Sequence, residues 1–363
     1  MGGDTLSMDQ SLSVGQTLVS QGSIFELGFF STSTNTYLGI WYKSFTAQII
    51  VWVANTEQMF SYPSSANLAF SRDGNLVLLT NFSRNQIWST NFVSPTPNFT
   101  EAVLQDDGNF VVRNVINPSK IYWQSFDHPT DTLLSGAKLG INKHTGKTQV
   151  LTSWKNSEDP TPGRYSFGID PDERNQYFIG WNKSRRYWST GVWNGDIFSS
   201  VPEWGNSLFR TNFISNENES YLTYSNLNTS VLLRFVMTMS GQLRIAAWFG
   251  GHWHSGYFWA QPLPGQVYDF CGTFGISKGN LSMLTCECLQ GFEPYSIEDT
   301  KLNDWSDGCV RKTPLQCQNG TYTNGMTDRF LKIQNIKLPE NSIVLLDRSL
   351  SLHGKLLLHS LCL

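Results

Sequence analysis

The sequence predicts an all-β protein made of two tandem β-prism domains, followed by a small module held together by disulfides. Three observations lead to this prediction: a tryptophan-marked repeat in the first third of the chain, a weaker copy of it in the middle, and cysteines confined to the last quarter. The composition agrees, because 13% of the residues are aromatic and only 15% are charged, against about 25% in typical globular proteins. Such a mixture favours short strands and many turns, with tryptophans packed between sheets.

The first β-prism is predicted from a unit that occurs three times. Trp52, Trp88 and Trp123 are spaced 36 and 35 residues apart, and strand-like runs between them follow the hairpin turns Asp73-Gly74 and Asp107-Gly108. One unit is therefore a turn, a strand, a polar loop and a strand that carries the tryptophan. A single hairpin is not stable alone, so three units require a threefold arrangement of small sheets. We expect the three tryptophans to meet on the pseudo-threefold axis as core residues.

The second β-prism is predicted from a weaker copy of the same pattern over residues 140–262. Trp154 and Trp188 are 34 residues apart, and Trp259 follows 71 residues later, about two further periods. The motif Tyr187–Thr190 repeats Ile87–Thr90 almost letter for letter. These spacings predict a second, more diverged β-prism.

The charge and hydropathy of the chain exclude several functions. The net charge is −3 and the densest basic pair is Arg185-Arg186, so the electrostatic footprint of a nucleic-acid-binding protein is absent. No apolar run reaches the roughly 18 residues that a membrane span needs. The first residues also lack the basic and apolar regions of a signal peptide. We therefore expect neither a signal peptide nor a transmembrane helix within this chain.

The cysteines indicate an oxidising, extracellular environment, whereas the number of glycosylation motifs is only slightly above the roughly five expected by chance. The first 270 residues have no cysteine, so their domains are held by packing alone, and the module behind them is expected to be cross-linked. The six cysteines are Cys271, Cys286, Cys288, Cys309, Cys317 and Cys362. Asn-x-Ser/Thr acceptor motifs occur at Asn81, Asn98, Asn182, Asn218, Asn228, Asn280 and Asn319. A zinc site is not expected, because Cys286 and Cys288 have no second ligand pair at finger spacing.

Several longer motifs resemble the extracellular region of plant G-type lectin S-receptor-like serine/threonine-protein kinases. They are Leu6–Leu12, Phe25–Phe30, Tyr37–Lys43, Trp123–Leu134, Thr152–Lys155, Gly191–Gly195 and Asp307–Thr313. The resemblance implies four parts: a bulb-type lectin domain of the β-prism II type at 1–138, an S-locus glycoprotein domain at 139–262, an EGF-like module at 263–317 and a truncated PAN-like segment at 318–363. It also implies a cell-surface location. The kinase part of such receptors has no counterpart here, since the phosphate loop and catalytic-loop motifs are missing.

The same resemblance suggests where a sugar would bind. Mannose-binding bulb lectins carry the pattern Gln-x-Asp-x-Asn-x-Val-x-Tyr, whose period of two places all five side chains on one strand face. Gln105, Asp107, Asn109 and Val111 match it, with Arg113 in place of the tyrosine. A second copy retains only Asp73, Asn75 and Val77, and the third unit shows no copy. Carboxylate and amide groups suit sugar hydroxyls, although Asp-Gly-Asn is also ordinary hairpin chemistry.

The resemblance further implies a disulfide pattern. In the family the first and third of six EGF-like cysteines pair, and here those positions are Gly265 and Ser277, so one bridge is lost as a unit. The remaining pairs would be Cys271 with Cys286 and Cys288 with Cys309. Partners for Cys317 and Cys362 stay open.

Three functions follow from these patterns. The first is a cell-surface recognition module for a mannose-type glycan or, as in the pollen-recognition branch of the family, a small cysteine-rich protein. The second is a receptor fragment without sugar affinity, which acts in homodimerisation or as a decoy. The third is a hydrolase, and it is disfavoured because Ser125, Asp127, His128 and Asp131 share one loop and cannot form a catalytic relay. No catalytic residue, metal or cofactor is expected.

Overall fold

A computed structural model of the chain describes residues 3–33, 35–45, 47–60, 66–80, 86–93, 99–170, 175–204, 208–228, 230–249, 252–253, 259–263, 266–280 and 283–313. These residues belong to two compact units, Met1–Val267 and Tyr268–Leu363. Cys317, Cys362 and the predicted PAN-like segment 318–363 lie outside the described residues, as do Asn81, Asn98 and Asn319.

The first prism consists of three four-stranded antiparallel sheets built from twelve strands. The strands are β1 (Thr5–Ser7), β2 (Ser11–Ser13), β3 (Thr17–Val19), β4 (Phe25–Ser31), β5 (Thr36–Tyr42), β6 (Ile50–Val53), β7 (Ala66–Phe70), β8 (Leu76–Thr80), β9 (Gln86–Ser89), β10 (Thr100–Leu104), β11 (Phe110–Asn114) and β12 (Ile121–Gln124). The sheet orders are β3-β4-β5-β6, β2-β7-β8-β9 and β1-β10-β11-β12. Each predicted repeat unit therefore supplies one sheet.

The N-terminal segment joins the three sheets, because β1, β2 and β3 each complete a different one. Leu6, Leu12 and Leu18 lie at the centres of these short strands, six residues apart, and all three are fully buried in the common core. This regular spacing of leucines is a sequence signal of the threefold arrangement. It places one apolar side chain from the same segment into each third of the core.

The predicted tryptophan cluster is present on the axis of the first prism. Trp52, Trp88 and Trp123 contact each other edge to face, with ring centroids 5.5–6.1 Å apart. Each stands opposite an aliphatic residue of the neighbouring strand, and the strand register shifts directly after that pair in all three sheets. Such pairs contribute beyond simple area burial, so the trio fixes how the three sheets meet.

The second prism repeats this architecture with less regular sheets. Its strands are β13 (Thr132–Leu134), β14 (Leu139–Asn142), β15 (Leu151–Asn156), β16 (Asp159–Ile169), β17 (Tyr177–Trp181), β18 (Arg185–Ser189), β19 (Phe209–Ser215), β20 (Glu219–Asn226), β21 (Leu232–Met237), β22 (Leu243–Phe249), β23 (His252–Trp253) and β24 (Trp259–Gln261). The sheets are β15-β16-β17-β18, β14-β20-β19 and β13-β21-β22-β23, and β24 also pairs with β22. Again three consecutive short strands each join a different sheet, and Leu133, Leu139 and Leu151 are buried like the leucines of the first prism.

The second prism also has a tryptophan cluster, but Trp154 does not belong to it. Trp188 and Trp259 do contact each other, but their companion is Trp204, whose ring centroid lies 5.3 Å from that of Trp259. Trp154 instead lies on the first strand of its sheet and packs against the buried residues Phe30, Tyr37, Trp41 and Val53 of the first prism. Trp204 lies in a short 3-10 turn at Pro202–Trp204. The tryptophan spacing in the sequence does not predict this position.

The two prisms pack directly on each other within the first unit. The rings of Phe45 and Trp248 lie 4.1 Å apart. The indole nitrogen of Trp52 donates to the backbone oxygen of His128 at 2.8 Å, and Arg234 donates to the backbone oxygen of Ile50 at 3.3 Å. The connection therefore contains both apolar packing and partly buried hydrogen bonds.

The described part of the second unit contains two small antiparallel sheets and one short helix. Strand β25 (Gly275–Asn280) pairs with β26 (Met283–Cys288), and β27 (Phe292–Pro294) pairs with β28 (Cys309–Arg311). Helix α1 (Ile297–Lys301) begins after Ser296, whose hydroxyl accepts the backbone N–H of Asp299. Disulfides join Cys271 to Cys286 and Cys288 to Cys309, with Cα–Cα distances of 5.4 and 5.8 Å. These are the two pairs that the family resemblance implies.

Candidate sugar-binding strands and their surroundings

The residues Gln105–Val111 form a hairpin turn between β10 and β11. Gly108 takes a positive φ of +86°, which favours glycine, and its N–H donates to the oxygen of Gln105 at 3.0 Å. A Cβ on Gly108 would lie within 3.0 Å of side-chain atoms of Leu134 and Phe25. The carboxylate of Asp106 accepts the N–H of Gly22 at 2.6 Å. The turn is therefore packed against neighbouring parts of the first unit.

Asn109 is only 5% exposed, and its side chain is bonded within the prism. Its Oδ1 accepts the hydroxyl of Ser125 and the N–H of Phe126, each at 3.2 Å. Its Nδ2 donates to Oε1 of Gln124 at 2.9 Å. An amide oxygen has two acceptor sites and an amide nitrogen two hydrogens. These bonds occupy both acceptor sites and one hydrogen, so one amide hydrogen remains for a ligand.

Two of the remaining positions of this strand are also engaged. Val111 is fully buried and offers no surface to a sugar ring. Arg113, which replaces the family tyrosine, donates from Nε to Glu101 Oε1 at 2.8 Å on the adjacent strand. Gln105 is half-buried and Asp107 is exposed. Only these last two side chains of the predicted set lie at the surface.

The two aspartates differ in protonation behaviour. Desolvation raises the pKa of the Asp107 carboxyl above its usual value, while the bond from the Asn109 N–H opposes that shift. The hydroxyl of Ser71 and then the amide of Asn75 lower the pKa of Asp73, which has no comparable desolvation. Both carboxyls serve first as acceptors within their own turn.

The second predicted strand, at Asp73 and Asn75, has the same geometry. Nδ2 of Asn75 donates to Oδ2 of Asp73 at 3.0 Å and to the backbone oxygen of Phe92 at 2.9 Å. Its Oδ1 accepts the hydroxyl of Thr90 at 3.0 Å and the N–H of Phe92 at 2.8 Å. All four hydrogen-bonding positions of this amide are used within the prism.

The two asparagines share one structural task, which was not recognised in the sequence. Each amide oxygen accepts the hydroxyl of the residue two positions after a cluster tryptophan, which is Thr90 in one sheet and Ser125 in the other. It also accepts a backbone N–H from one or two residues further on, that of Phe92 or Phe126. The hydroxyls recur at fixed spacing in the motifs Ile87–Thr90 and Tyr122–Ser125. The asparagines thus hold the segments that leave the tryptophan strands.

Three of the predicted glycosylation acceptors are described with their side chains, and all three are exposed: Asn182, Asn218 and Asn228. Asn182 lies in the turn between β17 and β18 with a positive φ of 47°. The Oδ1 atom of Asn218 bonds to Nε2 of His144 at 2.6 Å. The backbone of Asn280 ends β25. The exposed acceptors stay predictions as glycan sites.

Within the described ranges, no group of three or more His, Cys, Asp or Glu side chains could hold a metal ion. Among the same residues, no helix has the length and hydrophobicity needed to cross a bilayer.

Two protein-family models match the chain. One, for D-mannose binding lectin, covers residues 49–155, and the other, for the S-locus glycoprotein domain, covers 188–296. Among solved structures, the snowdrop mannose-specific agglutinin is 24% identical, covers 31% of this chain and 89% of its own, and has a TM-score of 0.24. A monomeric mannose-binding lectin from Gastrodia elata is 23% identical, covers 34% of this chain and 96% of its own, and has a TM-score of 0.26.

Relatives of known name match almost the whole chain. A G-type lectin S-receptor-like serine/threonine-protein kinase of Arabidopsis thaliana is 45% identical over 358 residues, which are 96% of this chain. The chain spans only 42% of the length of that kinase. The S-locus-specific glycoprotein S6 of Brassica oleracea is 35% identical over 359 residues, 96% of this chain and 79% of the relative. The prism pair, the matching models and these relatives together show that the chain belongs to the S-locus glycoprotein and G-type lectin S-receptor-like kinase family.

Proposed function

We propose that the chain is the ligand-recognition region of a cell-surface or secreted member of this family and works by binding rather than by catalysis. The observation that carries the proposal is the packing of two lectin-like prisms into one compact unit. The domain boundaries proposed above, with an EGF-like module behind the prisms, belong to the same interpretation. Relatives that are named receptor kinases support a role in signalling, which a kinase outside this chain would supply.

The extracellular location is supported by the two disulfides in the second unit, since such bridges persist in oxidising compartments. It is also supported by the exposure of the acceptors Asn182, Asn218 and Asn228. Thiol labelling of the protein isolated from plant tissue, followed by mass spectrometry, tests this location. We expect Cys271, Cys286, Cys288 and Cys309 to resist labelling. Free thiols at all four would contradict an extracellular role.

We further propose that the strand Gln105–Val111 has lost its capacity to bind mannose, because Asn109 is bonded within the prism, Val111 is fully buried and Arg113 is paired with Glu101. Asp73 and Asn75 share this state. A glycan array probed with the wild-type protein and with Gln105→Ala tests this proposal. The two proteins should give the same pattern. Mannose-type signals present in the wild type and lost in the variant would instead support sugar binding at this strand.

Protein recognition is the second candidate, with a small cysteine-rich protein or a second copy of the chain as partner. The exposed apolar residues at one end of the first prism favour it: Phe99, Val115, Ile116 and Ile121. Phe99 and Val115 are joined by a backbone hydrogen bond at 2.9 Å, so they belong to one surface. Sedimentation of the wild type beside Ile116→Ser distinguishes self-association from a monomer. A concentration-dependent dimer that the variant loses supports the homodimer, and two monomers exclude it at this surface.

A further inference from the structure

A cleft of about 570 Å³ opens at the end of the first tryptophan cluster, where the first prism meets the second. This volume lies within the roughly 300–1,000 Å³ of small-molecule pockets. Its walls come from the three segments at and after the tryptophans and from one segment of the second prism: 52–58, 87–91, 127–129 with Trp123, and 147–150. It does not include any residue of the predicted sugar-binding strands.

The walls of the cleft are held in place by hydrogen bonds. Asn75 and Asn109 fix the segments after Trp88 and Trp123, as described above. On the opposite wall, Thr148 pairs with Ile141, and the N–H of Gln149 donates to the oxygen of Gly140 at 2.8 Å. The indole nitrogen of Trp52 donates to the backbone oxygen of His128, and this bond joins two of the segments that line the cleft. A preformed cleft binds without the cost of ordering its walls.

The floor of the cleft is aromatic. The Trp52, Trp88 and Trp123 rings lie beneath it, and the imidazole of His128 stacks on Trp123 with centroids 5.4 Å apart and planes at 15°. Desolvation lowers the pKa of His128, and the charge of Lys147 adds to the shift. An uncharged imidazole can both donate and accept a hydrogen bond.

The rim of the cleft is polar and carries two carboxylates against one ammonium group. It carries the carboxylates of Glu57 and Asp127, the amides of Gln58, Asn91 and Gln149, and the ammonium group of Lys147. Paired donors and acceptors above an apolar aromatic floor match a molecule with hydroxyl groups at its edge and C–H groups on its face. An anionic ligand would face two carboxylates and a single ammonium group.

We propose that this cleft between the prisms binds a neutral saccharide unit, with its ring face on the aromatic floor and its hydroxyls bonded to Glu57, Asp127 and Gln149. The inference goes beyond the proposed function, because it assigns a site and a ligand class outside the lectin strands. A protein ligand bound elsewhere would leave the proposed function intact while this inference failed.

The test is isothermal titration and saturation-transfer NMR of the full chain with a defined panel of probes at millimolar concentration. The probes are the methyl glycosides of mannose, glucose, galactose and N-acetylglucosamine. Glu57→Gln removes one charge-assisted hydrogen bond and should weaken binding roughly tenfold or more. Thr148→Trp, on the exposed wall, should abolish binding by filling the cleft.

Glu217→Gln is the matched control, because it removes the same charge from an exposed turn that does not line the cleft. It should bind like the wild type, and so should Gln105→Ala on the lectin strand. The proposal is overturned if the native protein binds none of the four glycosides. It is equally overturned if binding survives both Glu57→Gln and Thr148→Trp, or if Gln105→Ala alone abolishes it.

Discussion

At the scale of single residues, the asparagines after the Asp-Gly turns have a structural role that does not depend on a bound sugar. Asn75 and Asn109 connect a hairpin turn to the segment that leaves a tryptophan strand. Their side chains are acceptors for a hydroxyl and a backbone N–H that would otherwise be buried without a partner. The hairpin itself could be predicted from Asp-Gly-Asn. The long-range partners could not, because spacing along one strand carries no information about the strand beside it.

Asn109→Ala should destabilise the first unit. It leaves the Ser125 hydroxyl, the Phe126 N–H and the Gln124 amide oxygen without their partner, at a cost of about 1–3 kcal/mol for a buried unsatisfied group. Chemical denaturation monitored by circular dichroism measures the loss. Gln105→Ala is the matched control on the same strand and should change stability by less than about 0.5 kcal/mol. Equal stability of the two variants would show that the Asn109 bonds contribute little.

Asp131 is a second residue with a measurable role. It is buried beside the contact between the prisms, and desolvation raises the pKa of its carboxyl from 3.8 to about 6, although the charge of Arg234 opposes the shift. A carboxyl whose pKa is higher in the folded state favours folding while protonated. Its stabilising contribution is therefore complete below about pH 4 and is lost as the pH rises through about 6.

Ionisation of Asp131 as the pH rises should lower the free energy of unfolding by on the order of 3 kcal/mol, since each unit of its pKa shift corresponds to about 1.4 kcal/mol. Asp131→Asn removes this titration, so the wild type should lose stability relative to the variant between about pH 4 and pH 7. Unfolding free energies of both proteins across that interval measure the difference. Parallel pH profiles would show that Asp131 does not titrate in this range.

At the scale of elements, the tryptophan strands were the most predictable part of the molecule. A strand, a bulge and a tryptophan recur at a period that the sequence displays, and the register places each tryptophan on the axis. The second prism was less predictable, because its cluster draws Trp204 from a 3-10 turn rather than from a strand. The spacing of Trp154 fits the period, yet it lies on the first strand of its sheet and faces the first prism.

Trp204→Ala and Trp123→Ala should each cost about 3–5 kcal/mol, the range for deletion of a buried large aromatic side chain. Trp204 is 1% exposed and Trp123 is 7% exposed. Denaturant midpoints of the two variants provide the measurement. If Trp204→Ala were tolerated with less than about 1 kcal/mol of loss, Trp204 would not belong to the second cluster.

At the scale of the whole molecule, the two prisms behave as one unit because apolar and hydrogen-bonded contacts cross between them. Phe45→Ala removes the ring packed on Trp248 and should lower stability by roughly 1–3 kcal/mol, the free energy of burying such a side chain. Differential scanning calorimetry is carried out on the full chain, wild type and Phe45→Ala. In each protein the two prisms should unfold together in a single transition. Separate transitions of the two prisms in Phe45→Ala would show that this contact carries the coupling.

Function is less predictable than fold at this scale. The family pattern identified the Gln105 strand from its residue types, whereas the cleft is formed by segments separated by up to about a hundred positions and by both prisms. Nothing in the local sequence of Thr148 or Gln149 indicates that they face Glu57 across a cleft. The threefold repeat predicts where the tryptophans meet. The wall of the cleft formed by residues 147–150 depends instead on how the second prism packs on the first.

The most direct test of the central claim, that the lectin strand has become a structural element, is a crystal structure of the secreted protein soaked in methyl α-D-mannoside. We expect the Asn109 amide to remain bonded to Gln124, Ser125 and Phe126, with no sugar density at the Gln105 strand. A mannoside bonded to Gln105, Asp107 and the Asn109 amide would contradict the account.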